Sequence, residues 1–396
     1  MNSAAMKLFV SAAPLCLAVV ATRAEPGEAP RRPTQYAIIF NMGYAADHFP
    51  QDAEAFERVV ASVKKAHFNT IWCKYTDARA EICRRHGMKI MVDLLVPEHH
   101  VYKNPDGARA LCERLRESDV VYAYHLWSDR IGGTIEGRSR DVANVRRWDP
   151  NHPTYVGSYH ARTIGDLKDA DLIGYYDFHW LRGGHFRHLF RILDAARRTG
   201  ALFLRYTHAD PGRVGIGNYN RVLYTVATAN AFGQKGYTYH YVGGTINTDT
   251  GEWGPLIKDL ARVNAEVAKL GPELMKIGNP TAVCSTPITR TAKDDPVEEP
   301  AVPAEFGPVP AAYWFRVARG EAIVGVFRAQ GGRDALVLAN HNAYQSQGMS
   351  LEFHVPVKSV RLFDRKQGEW TELDIAGRRV EFPIPPAACE LVQIER

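Results

Sequence analysis

The sequence is poor in several features that would each mark a function class. Only six of its 396 residues are cysteine, and none stand in a Cys-x-x-Cys spacing. Thiol–disulfide motifs and cysteine zinc ribbons are therefore absent. No glycine-rich phosphate loop follows the first strand-like run, where Asn41-Met42-Gly43-Tyr44-Ala45 stands instead, which argues against a nucleotide-binding doubly wound sheet. A Gly-x-Ser-x-Gly nucleophile elbow is missing. Charge is nearly balanced, with 49 basic against 44 acidic residues, so nucleic acid and anionic membrane surfaces are not expected partners. The longest apolar run, Leu8 to Ala21, is too short to span a bilayer. It follows Lys7 and precedes Ala21-Thr22-Arg23-Ala24, the pattern of a cleaved secretory signal. Residues 1–24 read as a signal peptide and predict an exported chain, periplasmic or secreted, with no integral membrane span. Cys16 lies inside that signal. The other five, Cys73, Cys83, Cys112, Cys284 and Cys389, read as free buried thiols.

What the chain does have is alternation. Strand-like runs at Tyr36–Met42, Asn69–Tyr75, Met88–Val96, Val120–Trp127, Pro153–Tyr159, Leu172–His179, Ala201–Thr207 and Gly236–Tyr241 are separated by stretches with helical spacing. Among these are Asp52–His67, Gly184–Thr199, Asn218–Phe232 and Trp253–Leu270. His86-Gly87, Thr199-Gly200 and Lys235-Gly236 read as helix C-caps that turn the chain back into the sheet. Eight such units over residues 34–278 predict an α/β fold, a (β/α)8 TIM barrel. Residues 279–310 are rich in proline and acid and read as a linker. Short alternating runs across 311–396 predict a small antiparallel β-sandwich.

In a barrel of this kind the chemistry sits at the C-terminal ends of the strands. The polar residues there are Asn41, Lys74, Asp77, Asp93, His125, Asp129, Asp177, His179, Arg205, His208 and Asp210. Aromatic residues lie among them, with Trp127, Trp180, Tyr176 and Tyr241 as stacking platforms and Tyr206 beside Arg205. Sugars suit such a lining, because their C–H faces stack on aromatic rings and their hydroxyls need many polar partners. Glycosidic bond cleavage uses two carboxyls across the scissile bond. Asp129 and Asp177 follow strands four and six, which contribute to the same layer of a barrel. Neighbouring aromatics would raise one pKa while Arg130 or Arg205 keeps the other carboxyl ionised. The expected substrate contacts are Asn41, Lys74, Asp77, His125, Trp127, Tyr176, His179, Trp180, Arg205 and Tyr206. Asp210, His208 and Tyr241 are held in reserve as catalytic groups. His99-His100 and the pair His185/His188 lack the His-x-x-x-His spacing of a zinc site, so hydrogen-bonded roles are expected for them, with no metal and no cofactor.

Four stretches carry a family likeness. Val120–Asp129 ends a fourth strand in an acid, and Arg147–Val156 contains Asp149-Pro150-Asn151-His152-Pro153. Asn230–Gly236 approaches strand eight, and Val263–Pro272 lies in the last barrel helix. Here the chain resembles the (β/α)8 glycoside hydrolases with a C-terminal β-sandwich, of the clan-A, β-galactosidase-like type. That family's catalytic Glu pair is not matched, since Ser128-Asp129 stands at strand four and Thr207-His208-Ala209 offers no acid at strand seven. The α-galactosidase-like clan D uses Asp on strands four and six, and Asp129 and Asp177 agree with that placement. The resemblance implies a glycoside hydrolase acting on a poly- or oligosaccharide. Two alternatives stay open: a catalytically silent glycan binder, and a polysaccharide lyase. The lyase would use Tyr241, Tyr206, His208 or His179, with Arg130, Arg205 or Lys74 against a uronate.

Overall fold

In the computed structural model, residues 31–42, 48–127, 134–158, 167, 169–177, 185–208, 219–240, 246–287 and 306–396 are described. Eight parallel strands close into a barrel in sequence order: β1 (Ala37–Asn41), β2 (Thr70–Cys73), β3 (Lys89–Asp93), β4 (Val121–Trp127), β5 (Thr154–Ser158), β6 (Leu172–Asp177), β7 (Leu202–His208) and β8 (Gly236–His240). β8 pairs with β1, Ala37 opposite Gly236. The sheet has no free edge. Helices α1 (Ala53–Lys65), α2 (Asp77–Arg85), α3 (Pro105–Leu115), α4 (Ile135–Trp148), α5 (His185–Thr199), α6 (Tyr219–Ala231) and α7 (Pro255–Met275) cover it.

The reasons are local. Asp52, Thr76, Asn104 and Thr134 each accept a backbone N–H in the first turn of α1 to α4, satisfying donors that a helix start leaves without partners. α1 buries Phe56, Val59, Val60 and Val63 at helical spacing. Gly87 and Gly200 have positive φ and turn the chain as the sequence predicts. The third cap differs: after α6 the turn is made by Gly233 at φ 92°, while Gly236 already belongs to β8.

Side chains alternate between lumen and helix layer. Ala37, Ile39, Trp72, Met91, Tyr155, Leu172, Leu204 and Tyr206 fill the lumen, whereas Ile38, Phe40, Ile71, Val92 and Phe203 join the outer core. The five described cysteines are free and buried.

The second domain is a pair of antiparallel sheets. One orders β10 (Phe315–Arg319), β13 (Gln347–Phe353) and β16 (Arg379–Ile384). The other orders β15 (Glu369–Glu372), β14 (Ser359–Asp364), β17 (Cys389–Glu395), β12 (Asp334–Asn340), β11 (Ala322–Arg328) and β9 (Ala282–Ser285). Phe315, Val324, Leu338, Leu351, Phe382 and Val392 pack between them, which is the expected sandwich.

The stretch read as linker is more ordered than its composition implies. β9 pairs with β11, Cys284 opposite Val324. Phe306 is buried against Phe190 and Phe232, with ring centroids 4.8 and 5.8 Å away. The proline- and acid-rich residues 288–305 between these two anchors lie outside the described residues. α6 packs directly on β11, β12 and β17. At Gly325 a Cβ would stand 2.0 Å from the carbonyl oxygen of Ala231, so only glycine permits this approach.

Candidate active site at the barrel mouth

Among the described residues, the C-terminal end of the lumen is floored by Trp72, His125, Tyr155 and Tyr206, all buried. The Trp72 indole meets the His125 ring edge-on at 4.3 Å, Tyr155 at 5.6 Å and Tyr206 at 5.9 Å between centroids. Asn41 Nδ2 donates to the Tyr206 hydroxyl at 2.6 Å. At the end of β3, Asp93 Oδ1 lies 2.9 Å from His125 Nδ1 and accepts Leu95 N–H at 3.0 Å. His125 Nε2 lies 2.9 Å from the carbonyl oxygen of Trp127. A carbonyl only accepts, so Nε2 carries a hydrogen and one proton is held between Nδ1 and Asp93. Both ring nitrogens are committed. In this arrangement His125 fixes Asp93 and the floor and has no nitrogen to offer a substrate.

The rim begins with Lys74, whose Nζ lies 2.6 Å from Glu98 Oε1. The hydrogen bond from Lys74 holds the Glu98 carboxyl below the usual glutamate range. His100 follows in the same loop, only 4% exposed, and its Nδ1 makes no hydrogen bond among the described residues. Burial first, then Lys103, pushes the His100 imidazolium down, while Asp93 opposes the shift. A buried neutral imidazole with an unsatisfied ring nitrogen offers a hydrogen-bonding position to a ligand hydroxyl.

Asn41, His125 and Tyr206 are thus brought together, and Lys74 stands on the rim. Three expected contacts face elsewhere. Arg205 follows Leu204 and precedes Tyr206, both in the lumen, so its side chain emerges on the helix side. There it donates to the Thr225 carbonyl at 2.9 Å and lies 2.7 Å from His185 Nδ1. Arg205 is therefore removed as a neutraliser of substrate charge, and His185 has the hydrogen-bonded role expected of it. Trp127 is turned out by a β-bulge: His125 pairs with Tyr155, but Trp127 pairs with Val156. The extra residue inverts the alternation, and the Trp127 ring lies under the Arg138 guanidinium at 3.3 Å. Asp77 is the first residue of α2, with its side chain 76% exposed and 2.6 Å from Arg114 of α3.

Tyr176, Asp177 and His208 lie in the strands by their backbones, Asp177 paired with Thr207. Their side chains are outside the described residues, as are Asp129, His179, Trp180, Asp210 and Tyr241 entirely. The sequence reading passed over Trp72 and Tyr155, which sit inside apolar runs. A parity count along β2 and β5 is the signal that finds them.

Chemically, a closed aromatic floor keeps water from beneath whatever stands on it.

No protein-family model matches the chain, and no curated protein matches it in sequence. Solved structures do match in fold. An α-amylase from Geobacillus thermoleovorans shares 11% identity, covers 91% of this chain and 98% of its own, and superposes with a TM-score of 0.54. An Anoxybacillus α-amylase gives 10% identity, 91% and 98% coverage and a TM-score of 0.52. A candidate α-galactosidase from Bacteroides fragilis gives 9% identity, 91% and 79% coverage and a TM-score of 0.52. At such identities the likeness is one of architecture: a (β/α)8 barrel continued by an antiparallel domain.

Proposed function

We propose that this chain is an exported glycoside hydrolase that cleaves a poly- or oligosaccharide with Asp129 and Asp177 as its carboxyl pair. The observation that carries the reading is the position of two strand ends. β4 ends at Trp127, two residues before Asp129, and β6 ends at Asp177 itself. Both strands end at the C-terminal rim of the barrel, where the chemistry of this fold sits, and this reading assigns the two acids to that rim. One carboxyl, kept protonated by the dry surroundings, protonates the leaving oxygen. The other attacks the anomeric carbon or activates water. The fold shared with two α-amylases and a candidate α-galactosidase supports the reaction class, and the signal-like residues 1–24 support export. No cofactor enters this chemistry.

The test is a panel of polysaccharides and aryl glycosides incubated with the purified protein, Asp129→Asn and Asp177→Asn, following reducing ends and near-ultraviolet absorbance. Reducing ends without absorbance, falling about 10²- to 10⁴-fold in each variant, support the proposal. Absorbing product identifies a lyase, undiminished product in both variants removes the carboxyl pair, and saturable glycan binding without turnover identifies a binder.

A further inference from the structure

A second concave surface lies on the barrel's flank, where residues 246–254 drape over the outer face of α1. The groove has a volume of about 490 Å3 and is lined by Arg58, Ala61, Ser62, Lys65, Thr250, Gly251 and Trp253. That volume lies within the range of small-molecule sites. Trp253 is 36% exposed, one of two large apolar side chains left so open among the described residues. Its ring is anchored: Nε1 donates to Ser62 Oγ at 2.9 Å, and Ser62 Oγ donates to the Gly251 carbonyl at 2.6 Å. The loop that carries it is tied to itself, with Asn247 Oδ1 accepting Asp249 N–H and Thr250 N–H at 2.9 and 3.1 Å. It is tied to α1 as well, through Arg58 Nε on the Asp249 carbonyl at 2.9 Å. A fixed indole face with its polar edge turned inward is a preorganised stacking platform.

The lining itself is basic, with Glu54 standing 4.0 Å from Arg58 and Glu252 preceding Trp253 in the loop. Arg58 and Lys65 are the ionisable residues of the lining, and no acid is among them. Lys65 is exposed and makes no hydrogen bond or ion pair among the described residues. We infer that this groove is a second, non-catalytic binding site for an acidic saccharide, one carrying carboxylate or sulfate groups. The apolar face of a sugar ring stacks on Trp253 while its anionic group meets Lys65 and Arg58. One isolated ring in a groove of this size fits a single sugar unit with its substituent better than a single-stranded nucleic acid, which uses successive stacking surfaces along a basic track. The site lies outside the lumen and needs no hydrolysis, so it stands whatever the mouth does.

Affinity electrophoresis of the whole protein through gels containing polygalacturonate, chondroitin sulfate, dextran or oligothymidylate tests it. Retardation by at least one acidic polysaccharide and not by dextran is expected, with affinity falling about tenfold in Trp253→Ala and in Lys65→Glu. Both positions are exposed, and an unchanged thermal midpoint separates loss of binding from loss of fold. Trp253→Phe should retain most of the retardation. Passage of the wild type unretarded through both acidic polymers overturns the inference. So does retardation that survives in Trp253→Ala, and oligothymidylate binding of equal strength through the same two residues assigns the groove to nucleic acid instead.

Discussion

The two ends of the barrel handle buried charge in opposite ways. At the base, before β5, Asp149 accepts four hydrogen bonds: Tyr124 OH at 2.6 Å, His152 Nδ1 at 2.7 Å, Asn151 N–H at 2.8 Å and His152 N–H at 3.1 Å. Before β6, Asp171 accepts from Arg31 N–H and from both Thr154 N–H and its hydroxyl. Before β8, the buried Lys235 Nζ donates to the Leu274 and Ile277 carbonyls, each at 2.6 Å, at the C-terminal end of α7. Every one of these groups finds its partners within the chain. At the mouth, Asp93 and His125 are matched, but the buried His100 Nδ1 is not, and Lys74 meets Glu98 where water competes. Polar groups bonded on all sides hold a structure together. Those left with spare capacity are where a ligand can add a bond.

Removing a base carboxylate should have the largest effect. Asp149→Ala leaves a tyrosine, a histidine and two backbone donors without their acceptor, and a loss of about 4 kcal/mol is expected in urea unfolding. Burial alone would raise the Asp149 carboxyl, but the bonds from His152 and Tyr124 outweigh it and hold the group below the usual aspartate range. The stabilisation is therefore present above that ordinary range and is lost as pH falls through the depressed value. A change under 1 kcal/mol would erase the distinction between the two ends.

The seam between the domains sharpens the contrast, because its charges are unequal. Arg365 faces two carboxylates, Glu266 of α7 at 2.8 Å and Glu390 of β17 at 3.5 Å. Tyr219 donates to Glu266 and lies beneath Arg262, while Asp364 and Lys366 complete the charged surroundings of Glu390. Burial, against the pull of Arg365, pushes the Glu390 carboxyl up to about 7. The fold prefers its protonated form, so this stabilisation is full below the ordinary glutamate range and is lost as pH rises through about 7. Stability should fall by up to roughly 3 kcal/mol between pH 4.5 and 7.5. Glu390→Gln should flatten that segment of the profile, and an unchanged slope in the variant would assign it to another group.

The mouth should show the smallest effect on stability. Tyr206→Phe removes the hydroxyl that Asn41 donates to and should cost about 1 kcal/mol. The proposed hydrolysis should weaken by more than that figure implies. A stability loss near that of Asp149→Ala would make the floor part of the scaffold alone.

Much of this fold is legible in the amino-acid sequence. Seven of the eight strand-like runs contain their strand and the seventh falls one residue short of the end of β7, because the apolar periods are long and bounded by turn residues. Within the site, legibility followed parity. Asn41 and Tyr206 lie on the lumen side of regular strands, and His125 precedes the bulge. Trp127 lies beyond it, and nothing in Leu126-Trp127 signals an inserted residue. Arg205 was misread by chemistry rather than by geometry: a cation at a strand end invites a role at the mouth, yet its neighbours Leu204 and Tyr206 already occupied the lumen. His185, some twenty residues earlier in sequence, gave it a buried partner. Phe306 was hidden in a stretch whose proline content pointed to a linker, and only the aromatic pocket of Phe190 and Phe232 reveals it as an anchor.

The way the base is closed also sets an order of events. Arg31 reaches Arg146, Asp149, His152 and Asp171, partners 115 to 140 positions further along the chain, although it is only six residues ahead of the start of β1. Those bonds have nothing to close upon until β5 and β6 have been laid beside β4. A contact of such long range comes at the cost of a large loop and forms late. The segment that leads into β1 is then among the last to be secured. Amide protection at residues 31–36 should appear only after that of the strands it lies beneath, so this short segment records when the barrel has closed.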